Sequence, residues 1–322
     1  MKWSKLTGAA LGVSMALAAA ACGGSSDSAE GGEGSYTVGL VGFTSADPTG
    51  TAAVRGYTKA AKAKGWKTIT VDTQGSTDKA VAAMQNLVSR GVDAIYVSVY
   101  PTSQLTAGLV AAKSAKIPVM SLAGGVGDEV QANWAAGSLD GKLVADQLVK
   151  DMNSTGSLLV LGFSPGLPCK LREDALKAAL KGTSIETTRQ ELKIPGDTQV
   201  SQDFTNAWLP KHPAGDAPLA IWSCNDNGAL GAIAALKSQK RSDVKVYGLN
   251  GEPGALKAIQ DGTLAADAWI DTEAAGAQMA EATPEIVKAG VTPSKPIRRD
   301  IPSTLITKET VASFLEEHPT LK

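Results

Sequence analysis

The chain alternates short apolar runs with stretches of helical periodicity, and this alternation limits the possible folds more than any other feature of the sequence. Its first unit, residues 36–66, contains the apolar run 37–43, the polar turn 44–50 and apolar residues at helical spacing up to Gly65. Strand, loop and helix in this order form half of a βαβ unit. Because short links join the units that follow, we expect right-handed crossovers between parallel strands.

Two such arrays of similar size follow one another along the chain. The predicted strands lie at 37–43, 67–72, 93–99, 117–122, 158–163, 185–192, 219–224, 244–249 and 264–270. A helix over 272–289, a strand over 299–306 and a helix over 309–317 complete the chain. Strands that are apolar throughout are typical of burial on both faces, and a chain of 322 residues usually forms more than one core. The sequence therefore predicts an α/β fold of two doubly wound parallel-sheet lobes.

The first residues predict export and attachment to a membrane. Lys2 and Lys5 precede an apolar run that ends at Cys22, which is the pattern of a signal peptide over residues 1–21. The three alanines and the cysteine that end this run resemble the bacterial lipoprotein box. The resemblance implies cleavage before Cys22 and lipidation of its sulfur, and ordinary secretion with a free Cys22 is the alternative. Residues 22–35 are rich in Gly, Ser and acidic residues and predict a flexible tether, so we expect an extracytoplasmic protein that is lipid-anchored to the bacterial cell membrane.

Composition excludes several classes of function. The formal net charge is -1, and it becomes -3 if Lys2 and Lys5 leave with the signal peptide, so the concentrated basic surface of a nucleic-acid binder is not expected. His212 and His318 are the only histidines, which excludes a multi-histidine metal site. The sequence has no glycine-rich phosphate-binding motif after a strand and no Gly-x-Ser-x-Gly elbow. We therefore expect no cofactor, no metal and no nucleic-acid partner.

Two cysteines remain besides Cys22. Cys169 and Cys224 both follow predicted strands at the same edge of one sheet, and an oxidising compartment permits a disulfide between them. Two buried, unpaired thiols are the alternative, because a sequence does not supply the separation that a bridge requires. A free thiol beside Lys170 would leave a thiol-dependent hydrolase open, although neither histidine is near either cysteine in the sequence.

Several segments of the chain resemble a known family. They comprise the first strand and helix, a helix that leads into the third strand, and three segments of the second array: residues 38–41 with 56–61, 87–95, 224–232, 248–251 and 256–264. The most specific of them contains the pattern Asn-Asp-x-x-Ala-x-Gly-Ala, beginning at Asn225. Together these segments resemble the type I periplasmic sugar-binding proteins of ABC importers, in the ribose-binding group.

The resemblance implies two lobes joined by a three-segment hinge, with crossings near Gly137, Asp271 and Arg299. The lobes would comprise residues 36–137 with 271–299, and residues 138–270 with 300–322. A small ligand, a sugar or a sugar-like polar molecule, would bind in the cleft and close the lobes on itself. Such a protein has no enzymatic activity and delivers its ligand, as a monomer, to an ABC transporter permease. A sensor component that presents the ligand to a membrane receptor is the alternative.

The candidate ligand-binding residues lie near the ends of predicted strands, where open parallel sheets bind ligands. They are Thr44, Ser45, Asp47, Tyr100, Lys170, Asn225, Asp226, Asn250, Trp269 and Asp271. By the resemblance, Asp226 accepts hydrogen bonds from ligand hydroxyls, although its position also fits a helix N-cap, and Asn225 braces the loop. Lys170 stands where the family often has an arginine directed at the ligand, and a solvated lysine is the alternative.

Two segments depart from the family. Residues 47–50 lack the usual Asn and aromatic side chains, and residues 122–125 end the fourth strand without an acidic residue. In partial exchange, five aromatic residues stand near predicted strand ends or crossings: Tyr100, Trp134, Trp208, Trp222 and Trp269. Because an aromatic face can cover the apolar side of a sugar ring, we expect at least one of them to stack on the ligand. Trp269, beside Asp271, is the first choice.

Overall fold

Two six-stranded sheets form the centres of two α/β lobes in the computed structural model, which describes residues 34–215, 217–292 and 295–322. The predicted signal peptide, Cys22 and the tether up to residue 33 lie outside the described residues. Within the described ranges, no helix is both long enough and apolar enough to cross a membrane. The architecture confirms the predicted fold class of two doubly wound lobes.

The sheets are built from strands that follow one another closely along the chain. The strands are β1 (Thr37–Gly42), β2 (Lys67–Asp72), β3 (Ala94–Ser98), β4 (Val119–Leu122), β5 (Ala132–Ala135), β6 (Thr155–Gly162), β7 (Ser184–Glu191), β8 (Leu219–Ser223), β9 (Val244–Tyr247), β10 (Ala266–Ile270), β11 (Ile297–Asp300) and β12 (Ser303–Thr307). The first sheet has the order β11-β5-β4-β3-β1-β2 and is parallel throughout. The second has the order β12-β10-β9-β8-β6-β7, and only its edge strand β12 is antiparallel.

Helices cover the faces of both sheets. They are α1 (Pro48–Ala63), α2 (Thr77–Ser89), α3 (Thr106–Ser114), α4 (Ser138–Asp151), α5 (Leu167–Ala179), α6 (Asp197–Trp208), α7 (Asp226–Ser238), α8 (Pro253–Gln260), α9 (Thr272–Ala289) and α10 (Val311–Glu317). Every residue of the central strands β3 and β8 is buried as a result. Trp222 of β8 is fully buried, and a side chain of this kind contributes roughly 1.5–3 kcal/mol to folding through its burial.

The chain passes between the two sheets three times. The passages follow β5, β10 and β11, and they form the three-segment hinge of the predicted fold class. The last passage differs from the sequence-based prediction, which had one strand over 299–306. Residues Ile301 and Pro302 separate β11 from β12, and a proline has no N–H to donate to a sheet. The prediction also missed β5, a four-residue strand that contains the buried Trp134 and no β-branched residue.

Helix α9 returns the chain to the first lobe after the second passage and packs closely against α1. A Cβ on Gly56 would lie 2.0 Å from the carbonyl oxygen of Glu273, and a Cβ on Gly276 would lie 2.0 Å from that of Ala53. The hydroxyls of Tyr57 and Thr283 share a buried hydrogen bond of 2.6 Å. The missing side chains of the two glycines therefore allow the two helix backbones to touch.

Candidate functional site

A cavity lies between the lobes, at the carboxyl ends of the parallel strands. Its walls come from both sheets and from all three hinge segments, which supply Ala136, Ile270, Thr272 and Ile301. Counted as the space open to the centre of a water molecule, the cavity has a volume of about 70 Å³. A single buried water needs about 10–15 Å³ on this measure. The closed cavity therefore has room for several waters, or for a small molecule that replaces them.

Arg172, on α5, is a buried polar residue of the cavity wall that bonds to three partners. Its side chain is 3% exposed, and Nε donates to Asp140 Oδ2 at 2.6 Å. Nη1 donates to the carbonyl oxygen of Cys224 at 2.8 Å, and Nη2 donates to Asn250 Oδ1 at 2.9 Å. One guanidinium thus connects three elements of the second lobe, because its planar fork offers several donors at fixed angles.

The prediction that Lys170 takes the place of a ligand-directed arginine is corrected by the structure. Lys170 is exposed and does not line the cavity, whereas Arg172, two residues further along the same helix, does. The buried residues of α5 include Cys169, Arg172 and Leu176, at spacings of three and four residues. Helical periodicity would have placed Arg172 on the buried face of α5, and the tertiary structure shows that it lines the cavity.

Two asparagines that follow strands of the second sheet also line the cavity. Asn225 is the N-cap of α7, where its Oδ1 accepts from the Gly228 N–H at 3.0 Å, and its Nδ2 donates to Asp197 Oδ2 at 2.7 Å. Asn250 accepts from Arg172 through Oδ1. Both predicted residues therefore lie at the cavity. Asp197, which also lines it, was not predicted from the sequence.

Asp47 and Glu252 bring a carboxyl group to the cavity from each lobe. Asp47 is the N-cap of α1 and accepts from the N–H groups of Thr49 and Gly50. Across the cleft, Thr49 Oγ1 donates to Glu252 Oε1 at 2.9 Å, which holds the lobes together. Burial raises the pKa of Asp47 to about 6. Burial and the nearby Asp47 carboxyl raise the pKa of Glu252 to about 7.

Two phenylalanines supply the aromatic surface of the cavity, whereas the sequence-based prediction sought it in Tyr100 and four tryptophans. Phe43 follows β1 and Phe163 follows β6, and both line the cavity with their ring centroids 6.1 Å apart at an angle of 69°. Each stands in the same local sequence, an aliphatic residue, Gly, Phe and a hydroxyl residue, once in each array. This internal repeat relates the two residues in the sequence, and the structure shows that both line the cavity.

Asp226 does not line the cavity, contrary to its expected contact with a ligand. It is fully buried within the second lobe, and its Oδ2 accepts from the Glu252 N–H at 2.7 Å. The N-cap of α7 is Asn225, so the alternative N-cap role of Asp226 is wrong as well. The carboxylate of the Asn-Asp motif therefore supports a loop, while the amide beside it reaches the cavity.

The expected stacking role of Trp269 is also not supported by its position. Its ring packs against Phe314 and His318, with centroids 5.2 and 4.6 Å away, and it is absent from the cavity wall. Asp271 is the N-cap of α9, where its Oδ1 accepts from the Ala274 N–H at 2.9 Å. Both residues are half-buried beside the second hinge passage and lie outside the cavity wall.

Three further predicted residues, Tyr100, Thr44 and Ser45, do not line the cavity. Tyr100 is 2% exposed and its hydroxyl pairs with Thr73 Oγ1 at 2.5 Å. Thr44 is buried, and its Oγ1 accepts from the Ala46 N–H at 3.3 Å. Ser45 is exposed, and its backbone N–H donates to Asp72 at 3.1 Å. Of the first loop, Asp47, Thr49 and Gly50 reach the cavity.

Cys169 and Cys224 form a disulfide, with their Cα atoms 5.1 Å apart. Of the two alternatives for these cysteines, the bridge is the one that the structure contains. The thiol-dependent hydrolase is therefore wrong, because neither sulfur is a free nucleophile. The bridge ties α5 to the turn before α7, and so fixes the segments that contain Arg172 and Asn225.

Comparison with known proteins places this architecture in a family. The periplasmic binding protein domain family matches residues 38–290. The ribose import binding protein of Bacillus subtilis is 27% identical over 270 residues, which cover 78% of this chain and 82% of that protein. The galactofuranose-binding protein of Escherichia coli is 26% identical over 260 residues, covering 76% of this chain and 80% of that protein.

Solved structures agree with these sequence relationships. An ABC transporter solute-binding protein from Agrobacterium vitis with bound allitol superposes with a TM-score of 0.82 and 26% identity, covering 88% of this chain and 99% of that chain. A solute-binding protein from Mycobacterium smegmatis with bound glycerol shares the fold, with a TM-score of 0.78 at 24% identity over 87% of this chain and 96% of that chain. The chain therefore belongs to the periplasmic binding protein family, among the type I sugar-binding proteins of ABC transporters, which are not enzymes.

Proposed function

We propose that this protein captures a monosaccharide or a small alditol in the cavity between its lobes and delivers it to the permease of an ABC importer. The observation that carries the proposal is the composition of the cavity wall. Hydrogen-bonding side chains from both lobes converge on a space of about 70 Å³, and two phenylalanine rings adjoin them. Ligand sites of this kind pair an apolar surface with a few oriented polar groups.

The polar groups suit a ligand with many hydroxyls. The carboxyl groups of Asp47, Asp197 and Glu252 accept hydrogen bonds, and charge-assisted bonds of this kind are the stronger ones. The amide groups of Asn225 and Asn250 can accept and donate, as a hydroxyl can. The rings of Phe43 and Phe163 can cover the C–H face of a sugar or an extended alditol. The relatives whose names mention ribose, galactofuranose and allitol support the same ligand class.

Closure of the lobes would couple capture to delivery. A ligand that touches both lobes favours the closed form, because an open form offers only half of its contacts. The bond between Thr49 and Glu252 and the contact between the two phenylalanine rings exist only when the lobes meet. We propose that the permease recognises this closed form, and that the protein acts as a monomer.

Export and lipidation at Cys22 complete the proposal. They rest on the sequence pattern of residues 1–22, which lie outside the described residues. A lipid anchor there would keep the binding protein near its permease, and the substitution Cys22→Ser should then release the protein from the membrane fraction.

The ligand class can be tested by thermal unfolding of the purified protein with a panel of pentoses, hexoses, alditols and inositols, and with amino acids and nucleosides as the comparison set. A ligand that binds only the folded protein stabilises it by mass action and so raises the midpoint temperature of unfolding. At a ligand concentration of a hundred times the dissociation constant, the gain in unfolding free energy is about 2.7 kcal/mol. We expect a shift with at least one sugar or alditol. A shift confined to amino acids or nucleosides would refute the proposed ligand class.

A further inference from the structure

Two aspartates face each other behind the cavity wall. Asp226, at the start of α7, and Asp267, in β10, are both fully buried. Asp226 Oδ1 and Asp267 Oδ2 have no hydrogen-bond donor. They lie 2.7 and 2.9 Å from the position that a Cβ on Gly248 would occupy, so both oxygens enter the space that this glycine leaves open. The positive charge of Arg172 acts to lower the pKa of Asp267. Arg172 gives no hydrogen bond to either free oxygen, because it donates to Asp140 and Asn250.

The other oxygens of the two aspartates hold the loop between β9 and α8. Asp267 Oδ1 accepts from the N–H groups of Asn250 at 3.1 Å and Gly251 at 3.0 Å. Asp226 Oδ2 accepts from the N–H of Glu252 at 2.7 Å. Three consecutive N–H groups thus converge on one carboxyl pair. Asn250 has φ 139° and Gly251 has φ 70°, and a non-glycine residue in this region is strained unless its surroundings hold it.

We infer that Asp226 and Asp267 share a single proton, and that this acid pair positions Asn250 and Glu252 in the cavity. Two ionised carboxylates side by side in a dry interior would repel each other, and each would keep an oxygen without a donor. One proton between them removes the repulsion and supplies the missing hydrogen bond. Asp267 accepts two N–H groups and so holds the negative charge, while Asp226 donates its Oδ1–H to Asp267 Oδ2.

The charged groups around the pair favour this arrangement. Burial and the charge of Asp267 raise the pKa of Asp226, and the Glu252 carboxyl acts in the same direction. Burial also raises the pKa of Asp267. Three causes oppose this rise: the hydrogen bond with Asp226, the N–H groups of the loop and the charge of Arg172. Loss of the shared proton would therefore weaken the loop that supplies Asn250 and Glu252. The acid pair lies behind the cavity wall, so its shared proton is present in the folded protein whichever ligand binds.

Three variants of the full chain test the shared proton. Asp226→Asn keeps a donor toward Asp267 and an acceptor toward the loop, so it imitates the protonated aspartate. Asp226→Ala removes both groups. The double variant Asp226→Asn with Asp267→Asn places two NH₂ groups opposite each other. Asp203→Asn, at an exposed site on α6, is the matched control.

Two measurements on the ligand-free protein test whether the aspartates share a proton and whether the pair holds the loop. Infrared spectroscopy well above pH 7, where Glu252 is ionised, should show the band of a protonated carboxylic acid in the unmodified protein and in Asp203→Asn, but not in Asp226→Asn. Hydrogen exchange of peptides spanning 248–256 should stay slow in Asp226→Asn. It should accelerate about tenfold or more in Asp226→Ala and in the double variant, as expected when a buried charge-assisted bond is lost. Exchange in β1 of the other lobe reports on global unfolding.

Either of two results would overturn the inference. If the acid band persists in Asp226→Asn, the neutral acid is elsewhere in the protein. If the double variant exchanges as slowly as the unmodified protein while β1 stays protected, the pair does not hold the loop.

Discussion

Arg172 shows at the residue scale how a single side chain organises the cavity. Its guanidinium donates to Asp140, to the Cys224 carbonyl and to Asn250, and the disulfide between Cys169 and Cys224 fixes the ends of this network. Lys170, on the same helix, faces solvent. The difference is one of direction, since residues two apart on a helix lie about 200° apart around its axis.

Replacing Arg172 by Lys should therefore weaken ligand binding while Lys170→Ala leaves it unchanged. Lysine keeps the charge opposite Asp140 but cannot reach three partners with one planar group. Each lost bond to a charged donor is worth roughly 1.5–3 kcal/mol, so the dissociation constant should rise by about tenfold to a hundredfold. Titration calorimetry with a ligand from the thermal panel measures it. Equal losses in both variants would contradict the assignment of Arg172 to the site.

At the scale of elements, the packing of α9 on α1 connects the hinge to the cavity. Helix α9 begins at the second hinge passage, and α1 begins at Pro48, between Asp47 and Thr49, which both line the cavity. The two helices touch through Gly56 and Gly276. A change in their spacing would therefore move the start of α1 relative to the other lobe.

Gly276→Ala should destabilise the protein by about 1–3 kcal/mol, because the new methyl group meets the rigid backbone oxygen of Ala53 and the helices must separate. Urea unfolding followed by circular dichroism gives the free energy of unfolding. Gly254→Ala in α8 is the matched control: its methyl group would lie 3.1 Å from Leu230 Cδ1, the end of a side chain that can move. A control variant that loses as much stability as Gly276→Ala would refute the contact argument.

At the scale of the whole molecule, the two lobes bring carboxyl groups together when they close. Asp47 comes from the first lobe and Glu252 from the second, and Thr49 bonds directly to Glu252. Burial is the main cause that raises both pKa values, to about 6 and about 7. A carboxyl group with a raised pKa binds its proton more tightly in the closed form than in water.

Raising the pH from 5 to 8 should therefore favour the open form of the ligand-free protein. The extra stability of the closed form is complete below the ordinary pKa values, 3.8 and 4.5, and is lost as the pH rises through about 6–7. The loss amounts to about 1.4 kcal/mol per pH unit for each such group. Small-angle X-ray scattering should show a larger radius of gyration at pH 8. Glu252→Gln, which keeps the acceptor for Thr49, should reduce the change, and a radius that is independent of pH in the unmodified protein would contradict the prediction.

The sequence by itself determined the two βα arrays and the strand ends at which Asp47, Asn225 and Asn250 lie. These follow from local periodicity, because the spacing of apolar residues along the chain distinguishes strands from helices. The three hinge passages were predicted from the resemblance to the family and not from periodicity. A local motif also predicted the family, because the segment after β8 contains the pattern Asn-Asp-x-x-Ala-x-Gly-Ala that resembles the family's signature.

Only the tertiary structure decided which side chains face the cavity. Asp226 and Asn225 are neighbours in sequence, yet one supports a buried loop and the other lines the cavity. Trp269 packs against His318 away from the cavity, while Phe43 and Phe163, from separate lobes, meet across the cleft. The physical reason is that a cavity between lobes is made by contacts between residues far apart in sequence. Such contacts depend on how the lobes close, which no local pattern of apolar and polar residues specifies.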